Sequence, residues 1–136
     1  MRVSAKERAA LRAMVELARW YGEGPRPLGQ IAAAQGLSLA YLEQIVPDLR
    51  EAGLVSSVRG AHGGYLLTRH PATVSVGDVF YAVEPALVPV DCLEDEATCE
   101  RLDCCATRAV WQTLAERIGE TLNATSLADV LLSSDA

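Results

Sequence analysis

The chain has 136 residues, half of them hydrophobic, and a formal net charge of −6. That length holds one compact domain, or one small domain plus an oligomerisation element, and no stretch approaches the ~20 consecutive apolar residues that span a bilayer. With one Phe and two Trp, the core must be mostly Ala, Leu and Val, a composition that favours helices.

The N-terminal stretch MRVSAKERAALRAMVELARWYGEG carries charge throughout, without the apolar run of a secretory signal, so a cytoplasmic protein is expected. Charge is divided unevenly. Residues 1–70 hold nine Arg/Lys against six Asp/Glu, and residues 71–136 hold three against twelve. A polyanion would therefore meet the first half, although a solvated acidic second half gives the same numbers.

After Ser4, a plausible N-cap, Ala9, Ala10, Leu11, Ala13, Met14, Val15, Leu17 and Ala18 follow helical spacing up to Gly22-Glu23-Gly24-Pro25. Pro25 and Pro27 stop continuation. A short helix is predicted from Leu28 to Gln35, with Ile31 and Ala32 inward. Gly36-Leu37-Ser38 breaks it, and a further helix runs from about Leu39 to Ala52. Two helices joined by a Gly-containing turn are the pattern of a helix-turn-helix; an ordinary helical hairpin is the alternative. Gly36 suits a left-handed helix end, Ser38 suits a cap, and Leu37, Leu42 and Ile45 supply a core face. Pro47 lacks an amide donor and is expected to kink or split the second helix.

Leu54 to Arg59 and Tyr65 to Thr68 are β-rich runs around Gly60-Ala61-His62-Gly63-Gly64, which predicts a hairpin. Directly after a helix-turn-helix, a hairpin is a wing, and a plain surface hairpin is the alternative. Ser75 should cap a short helix bearing Val76, Val79, Phe80 and Val83. Residues 85–104 contain Pro85 and Pro89 and no helical period until late. From about Thr107 a long helix places Trp111, Leu114, Ile118 and Leu122 in a narrow stripe, suited to a homodimer seam or to packing on the first helix. Thr125 or Ser126 starts a last segment, Leu127 to Leu132.

All four cysteines, Cys92, Cys99, Cys104 and Cys105, lie within fourteen residues. Reduced cytoplasmic thiols so clustered point to metal binding or redox chemistry. Paired acid/base residues, a nucleophile constellation and a phosphate loop are all missing, and His62 and His70 are the only histidines. No enzyme is expected.

These residues together resemble the Rrf-type winged-helix transcriptional regulators, and within them the IscR-type iron–sulfur cluster regulators. The likeness rests on Met1-Arg2-Val3 with Ala13-Met14, on Leu37 to Gln44, on Gly53 to Gly60, on Gly63 to Leu67, and on the cysteine loop followed by Ala109-Val110-Trp111. It implies a mostly α fold with a small β-hairpin. Residues 1–84 would form a winged helix-turn-helix DNA-binding domain, 85–106 a cysteine-containing sensor loop, and 107–136 a dimerisation helix and C-terminal segment. It also implies a homodimer, mainly a repressor, that binds pseudo-palindromic double-stranded promoter DNA and senses cluster, redox or nitric-oxide status.

The major groove admits a helix whose early residues reach base edges. Here Gln44 can pair with adenine, Glu43 can accept from cytosine N4, and Tyr41 or Ser38 can hold a phosphate. Ala40 replaces a hydroxyl residue frequent in the family. The resemblance places Arg59 in the minor groove, where a narrow groove favours Arg, with Gly60 and His62 in the same turn. Arg2, Lys6 and Arg50 are phosphate candidates. For the cofactor, the resemblance selects Cys92, Cys99 and Cys105, with Cys105 six residues before Trp111. IscR-type proteins have a His three residues after that cysteine. This chain has Arg108, whose guanidinium has no lone pair to give. The fourth ligand is open between Cys104 and a carboxylate such as Glu7, Glu94, Asp95, Glu96, Glu100 or Asp103. The choice of 2Fe–2S or 4Fe–4S is open with it. A zinc site, a thiol switch, and a cluster-free regulator controlled by a partner protein or metabolite are the other readings.

Overall fold

The computed structural model describes residues 3–84 and 106–134. Helix α1, Ala5–Arg19, starts at Ser4, whose hydroxyl accepts the Glu7 amide while the Glu7 carboxylate takes the Ser4 amide. Such a capping box satisfies two donors that a helix start otherwise leaves open. The periodic face of α1 buries Ala9, Ala10, Ala13, Met14, Leu17 and Ala18. Small residues along this face let α2, α3, α4 and the last helix all pack on α1, which makes it the central strut.

Helix α2, Leu28–Gln35, turns Ile31 and Ala32 inward, as its pattern predicts. Gly36 ends it at φ 63°, ψ 37°. The Leu37 amide donates to the Ala32 carbonyl at 2.9 Å and the Gly36 amide to Ala33 at 3.4 Å, the two bonds of a Schellman motif. Helix α3, Leu39–Glu51, is capped by Ser38, which accepts the Tyr41 amide at 3.3 Å. Leu42, Ile45, Val46 and Leu49 are its buried stripe.

The expected split at Pro47 does not occur: α3 is one helix from Leu39 to Glu51. Pro47 and Glu43 both lie on the exposed side. The Glu43 carbonyl, deprived of its usual amide partner, faces water there rather than protein. Ile45 and Val46 before the ring, and Leu49 after it, are all fixed in the core, so packing anchors the helix on both sides of the proline.

Strands β1, Val55–Val58, and β2, Gly64–Leu67, pair antiparallel with Val55 opposite Leu67 and Val58 opposite Gly64. Arg26 joins their edge, its amide donating to the Tyr65 carbonyl at 2.9 Å and its carbonyl accepting the Tyr65 amide at 2.8 Å. The wing is thereby tied to the segment that enters α2. A short 3₁₀ turn, Pro71–Thr73, leads to α4, Val76–Val83, which opens with a second capping box between Ser75 and Asp78, both bonds 2.9 Å.

Helix α5, Arg108–Ala124, has no fully buried side chain. It packs on α4, where a Cβ on Gly77 would stand 2.1 Å from the Asn123 side-chain oxygen. Trp111, Ile118 and Leu122 are half-buried, whereas Val110 and Leu114 remain 59% and 42% exposed. Helix α6, Leu127–Ser134, begins at a third reciprocal cap between Ser126 and Asp129. The two bonds from Ser126 hold the Asp129 carboxyl below its ordinary pKa. Leu127 is fully buried and its amide donates to the Val74 carbonyl at 2.9 Å. The final segment therefore returns to the core that α1 organises. Among the described residues no helix is long and apolar enough to cross a membrane.

Candidate nucleic-acid interface

The two faces of α3 differ in kind. Leu42 and Ile45 are sealed in the core, while Ser38, Leu39, Ala40, Glu43, Gln44 and Pro47 are exposed. Glu43 and Gln44 thus stand on an open helical face in its first two turns, the place from which a groove-reading helix contacts base edges. Ser38 is exposed, but its hydroxyl is already used as the cap acceptor. It still has a proton to donate, since one hydroxyl both donates and accepts. Tyr41 is half-buried and packs against the core, in a cleft shared with Arg8, Arg12 and Leu37.

The wing turn presents Arg59, Gly60 and His62 to solvent, closed by a 3.0 Å bond from the Gly63 amide to the Gly60 carbonyl. Of the phosphate candidates, Lys6 is paired with Asp48 at 3.0 Å in a surface contact about two-fifths exposed. Pairs of that kind contribute only about 0–1 kcal/mol, so an incoming phosphate can displace one. Arg50 is exposed, but it lies twelve residues beyond Ser38, about 18 Å along the helix at 1.5 Å per residue. It therefore stands well away from Glu43 and Gln44 along α3. Arg2 falls outside the described residues.

Cys92, Cys99, Cys104 and Cys105 also fall outside the described residues, as do Glu94, Asp95, Glu96, Glu100 and Asp103. Among the described residues no group of three potential ligands gathers in one place. Glu7, the carboxylate considered as a fourth ligand, is 1% exposed and holds the Ser4 amide. Ligation by Glu7 would cost α1 its cap, and the loss of a cap destabilises a helix by roughly 1 kcal/mol. Arg108 opens α5 and is half-buried.

One feature beside the wing was missed by sequence reasoning. Arg26 lies in the Pro-flanked link between α1 and α2, yet the fold sets it beside the wing, with its guanidinium carbon 3.6 Å from the centre of the Trp20 ring. Nothing in the local sequence marks that contact, because Trp20 ends α1 and the chain turns back through Gly22 and Gly24 to create it.

The chain matches the Rrf2 family, described as an iron-dependent transcriptional regulator, over residues 3–132. It is 42% identical over 135 residues to the HTH-type transcriptional regulator CymR of Bacillus subtilis, covering 99% of this chain and 93% of that protein. It is likewise 42% identical to the HTH-type transcriptional regulator IscR of Yersinia enterocolitica, covering 99% and 82%. Among solved structures, CymR, the global cysteine regulator of B. subtilis, superposes with a TM-score of 0.81 over 96% of this chain and 95% of that one. IscR of T. potens also gives 0.81, at 41% identity, over 98% and 88%. Its likeness is to transcriptional regulators, not to enzymes, and the exposed helix, the wing and these relatives agree on one assignment. The chain belongs to the Rrf2 family of winged helix-turn-helix, DNA-binding transcriptional regulators.

Proposed function

We propose that the protein is a homodimeric repressor that reads promoter DNA with α3 and the wing and responds to iron–sulfur, redox or nitric-oxide status through its cysteines. The observation that carries the DNA half is the exposed face of α3, bearing Ser38, Glu43 and Gln44, together with the exposed wing turn. Glu43 and Gln44 read base edges in the major groove, Ser38 and Tyr41 hold backbone, and Arg59 enters the minor groove from the turn that also carries Gly60 and His62 to the DNA. Lys6 and Arg50, and Arg2 ahead of α1, add phosphate contacts. Residues 1–84 act as the DNA-binding unit, 85–106 as the sensor, and 107–136 as the dimerising segment.

The apolar stripe of α5 supports the dimer. Val110 and Leu114 stay exposed, and Trp111, Ile118 and Leu122 are covered only in part. Two-fold pairing along this stripe would present two recognition helices to a pseudo-palindromic operator, with half-sites one helical turn apart.

For the sensor, the donor set is the argument. Three thiolates in the order Cys92, Cys99 and Cys105 suit a cluster, because thiolate is its usual protein ligand. Bound there, a cluster supplies a centre whose charge and integrity change with oxidant or nitric oxide. Arg108 cannot ligate, but it places a cation three residues from Cys105, which is favourable beside thiolates on Coulomb grounds. The cysteine-bearing residues lie in sequence between α4 and α5, and α4 packs on both α3 and α5. A change in residues 90–106 on cluster binding therefore bears on α4, which among the described residues touches both the reading helix and the dimer helix. A two-state shift there changes the presentation of the recognition helices.

Anaerobically purified protein is expected to contain iron and acid-labile sulfide, with visible absorption. Operator affinity should differ at least tenfold between loaded and stripped protein, a coupling of about 1.4 kcal/mol. Colourless protein with stoichiometric zinc would overturn the cluster. Equal affinities would remove the sensing and leave the DNA binding. Separately, Arg59→Ala is expected to weaken operator binding about tenfold or more at fixed salt, within the 1–3 kcal/mol of a good groove contact, with the dimer intact by sedimentation. Unchanged affinity would overturn the wing assignment.

A second reading is favoured by Arg108 standing where IscR-type proteins have His, and by equal similarity to CymR. In it the cysteines hold zinc or act as a thiol switch, or a partner protein or metabolite controls the regulator. A variant without all four cysteines that keeps both DNA binding and its regulation would establish the control by a partner or metabolite.

A further inference from the structure

The wing and the start of α2 enclose a cleft of about 280 Å³, lined by Pro25, Arg26, Pro27, Gln30, Ala61, His62 and Gly63. Three of these carry hydrogen-bond donors on their side chains, and they come from two parts of the fold that the chain separates by more than thirty positions. Proline and glycine make up most of the remaining wall and project little into the space.

Arg26 is held there before any ligand arrives. Its guanidinium lies 3.6 Å over Trp20, its Nη1 stands 3.5 Å from Gln30 Oε1, and its main chain is locked to Tyr65 by two bonds. Among the described residues it has no carboxylate within ion-pair distance. The three ion pairs found there are Lys6–Asp48, Arg19–Glu16 and Arg69–Asp78. Its Nε is buried and has no hydrogen-bond acceptor. Glu16 lines a neighbouring pocket with Arg26 and Trp20, but its carboxylate is already engaged by Trp20 Nε1 at 3.1 Å, Gln35 Nε2 at 2.8 Å and Arg19 Nε at 3.7 Å. A fixed cation in a polar cleft beside the wing turn therefore still suits an anion from outside. Immobilising a guanidinium in advance also lowers the entropy lost on binding.

We propose that this cleft takes a backbone phosphate of the operator, with Arg26 supplying charge and Gln30 and His62 donating hydrogen bonds to the phosphate oxygens. The inference rests on the DNA-binding reading above and adds Arg26 and Gln30 to it. A phosphate gripped here, between the wing and α2, fixes the angle at which Arg59 approaches the minor groove. Contacts of this type set register and carry no sequence information.

The test is operator binding by the full-length protein across a salt series, with an unrelated duplex in parallel. Arg26→Gln is expected to lower the slope of log K against log salt by about 1, as loss of one phosphate contact does. It should weaken operator and unrelated duplex by the same factor. Because Arg26 also braces Trp20, the Gln30→Ala/His62→Ala double variant is measured as well. It leaves that stacking in place and is expected to weaken both duplexes several-fold with an unchanged melting temperature. Wild-type affinity and slope in both variants would overturn the proposal while leaving the winged-helix reading intact. So would a loss confined to the operator, which marks a base contact. Inorganic phosphate that binds the wild-type protein and is lost in Arg26→Gln, yet displaces neither duplex beyond what chloride does at equal ionic strength, would overturn the assignment to a backbone phosphodiester and mark a free-anion site. Failure of the wild-type protein to bind any duplex would instead defeat the DNA-binding reading itself.

Discussion

Gly64→Ala is expected to unfold the wing's attachment and to lower the melting temperature by about 10 °C or more, given some 3–5 °C per kcal/mol at this size. Gly64 has φ 150°, and a Cβ there would sit 2.2 Å from both the carbonyl carbon and oxygen of Arg26 and 2.6 Å from the Pro27 nitrogen. All three are backbone atoms, so no side chain can swing aside. Backbone strain of about 1–3 kcal/mol adds to overpacking of about 1–3 kcal/mol, and the link that must yield is the Arg26–Tyr65 pair. Operator affinity should fall together with stability, because wing and helix-turn-helix would lose their fixed relation. Gly36→Ala is the comparison. Gly36 has φ 63° but open space where its Cβ would stand, so it should lose only about 1–2 kcal/mol, the left-handed backbone penalty. Melting followed by circular dichroism decides, and equal losses at the two positions would contradict the close approach at Gly64.

Leu42→Ala is expected to destabilise the protein by about 3–5 kcal/mol, the range for removing a fully buried leucine from a core that collapses only in part. Leu42 is wholly buried on the inner face of α3, in the cluster it shares with Met14, Ile31 and Ile45. That loss is a large share of the 5–15 kcal/mol that keeps such a domain folded. Three positions earlier, Leu39 is 43% exposed, and Leu39→Ala should change stability by no more than about 0.5 kcal/mol, as surface substitutions do. Urea midpoints at constant slope measure both. Similar midpoints for the two variants would mean that α3 is oriented differently, and the exposed reading face would go with it.

Helix positions were legible because apolar residues recur at three and four. The period alone places Ala10, Met14 and Leu17 on one face of α1 and Leu42 and Ile45 on one face of α3, and each is buried, whereas Leu37, read with them, is only half-buried. Caps were legible where Ser precedes such a period, at Ser4, Ser38 and Ser75. Pro47 misled because its local cost was weighed without the core contacts on either side of it. The Arg26 cleft was illegible for the opposite reason: its members lie in two segments that no local pattern connects.

The amino-acid order alone determined the succession of helices, the Gly36 turn, the hairpin and the clustering of four thiols, since each depends on neighbours within a few positions. Only the tertiary structure decided that α3 stays whole through Pro47, that Arg26 pairs with the wing and stacks on Trp20, and that Leu127 closes the core begun by α1. Those outcomes depend on segments far apart in the chain meeting in one core, and burial there outweighs the local preference of any single residue.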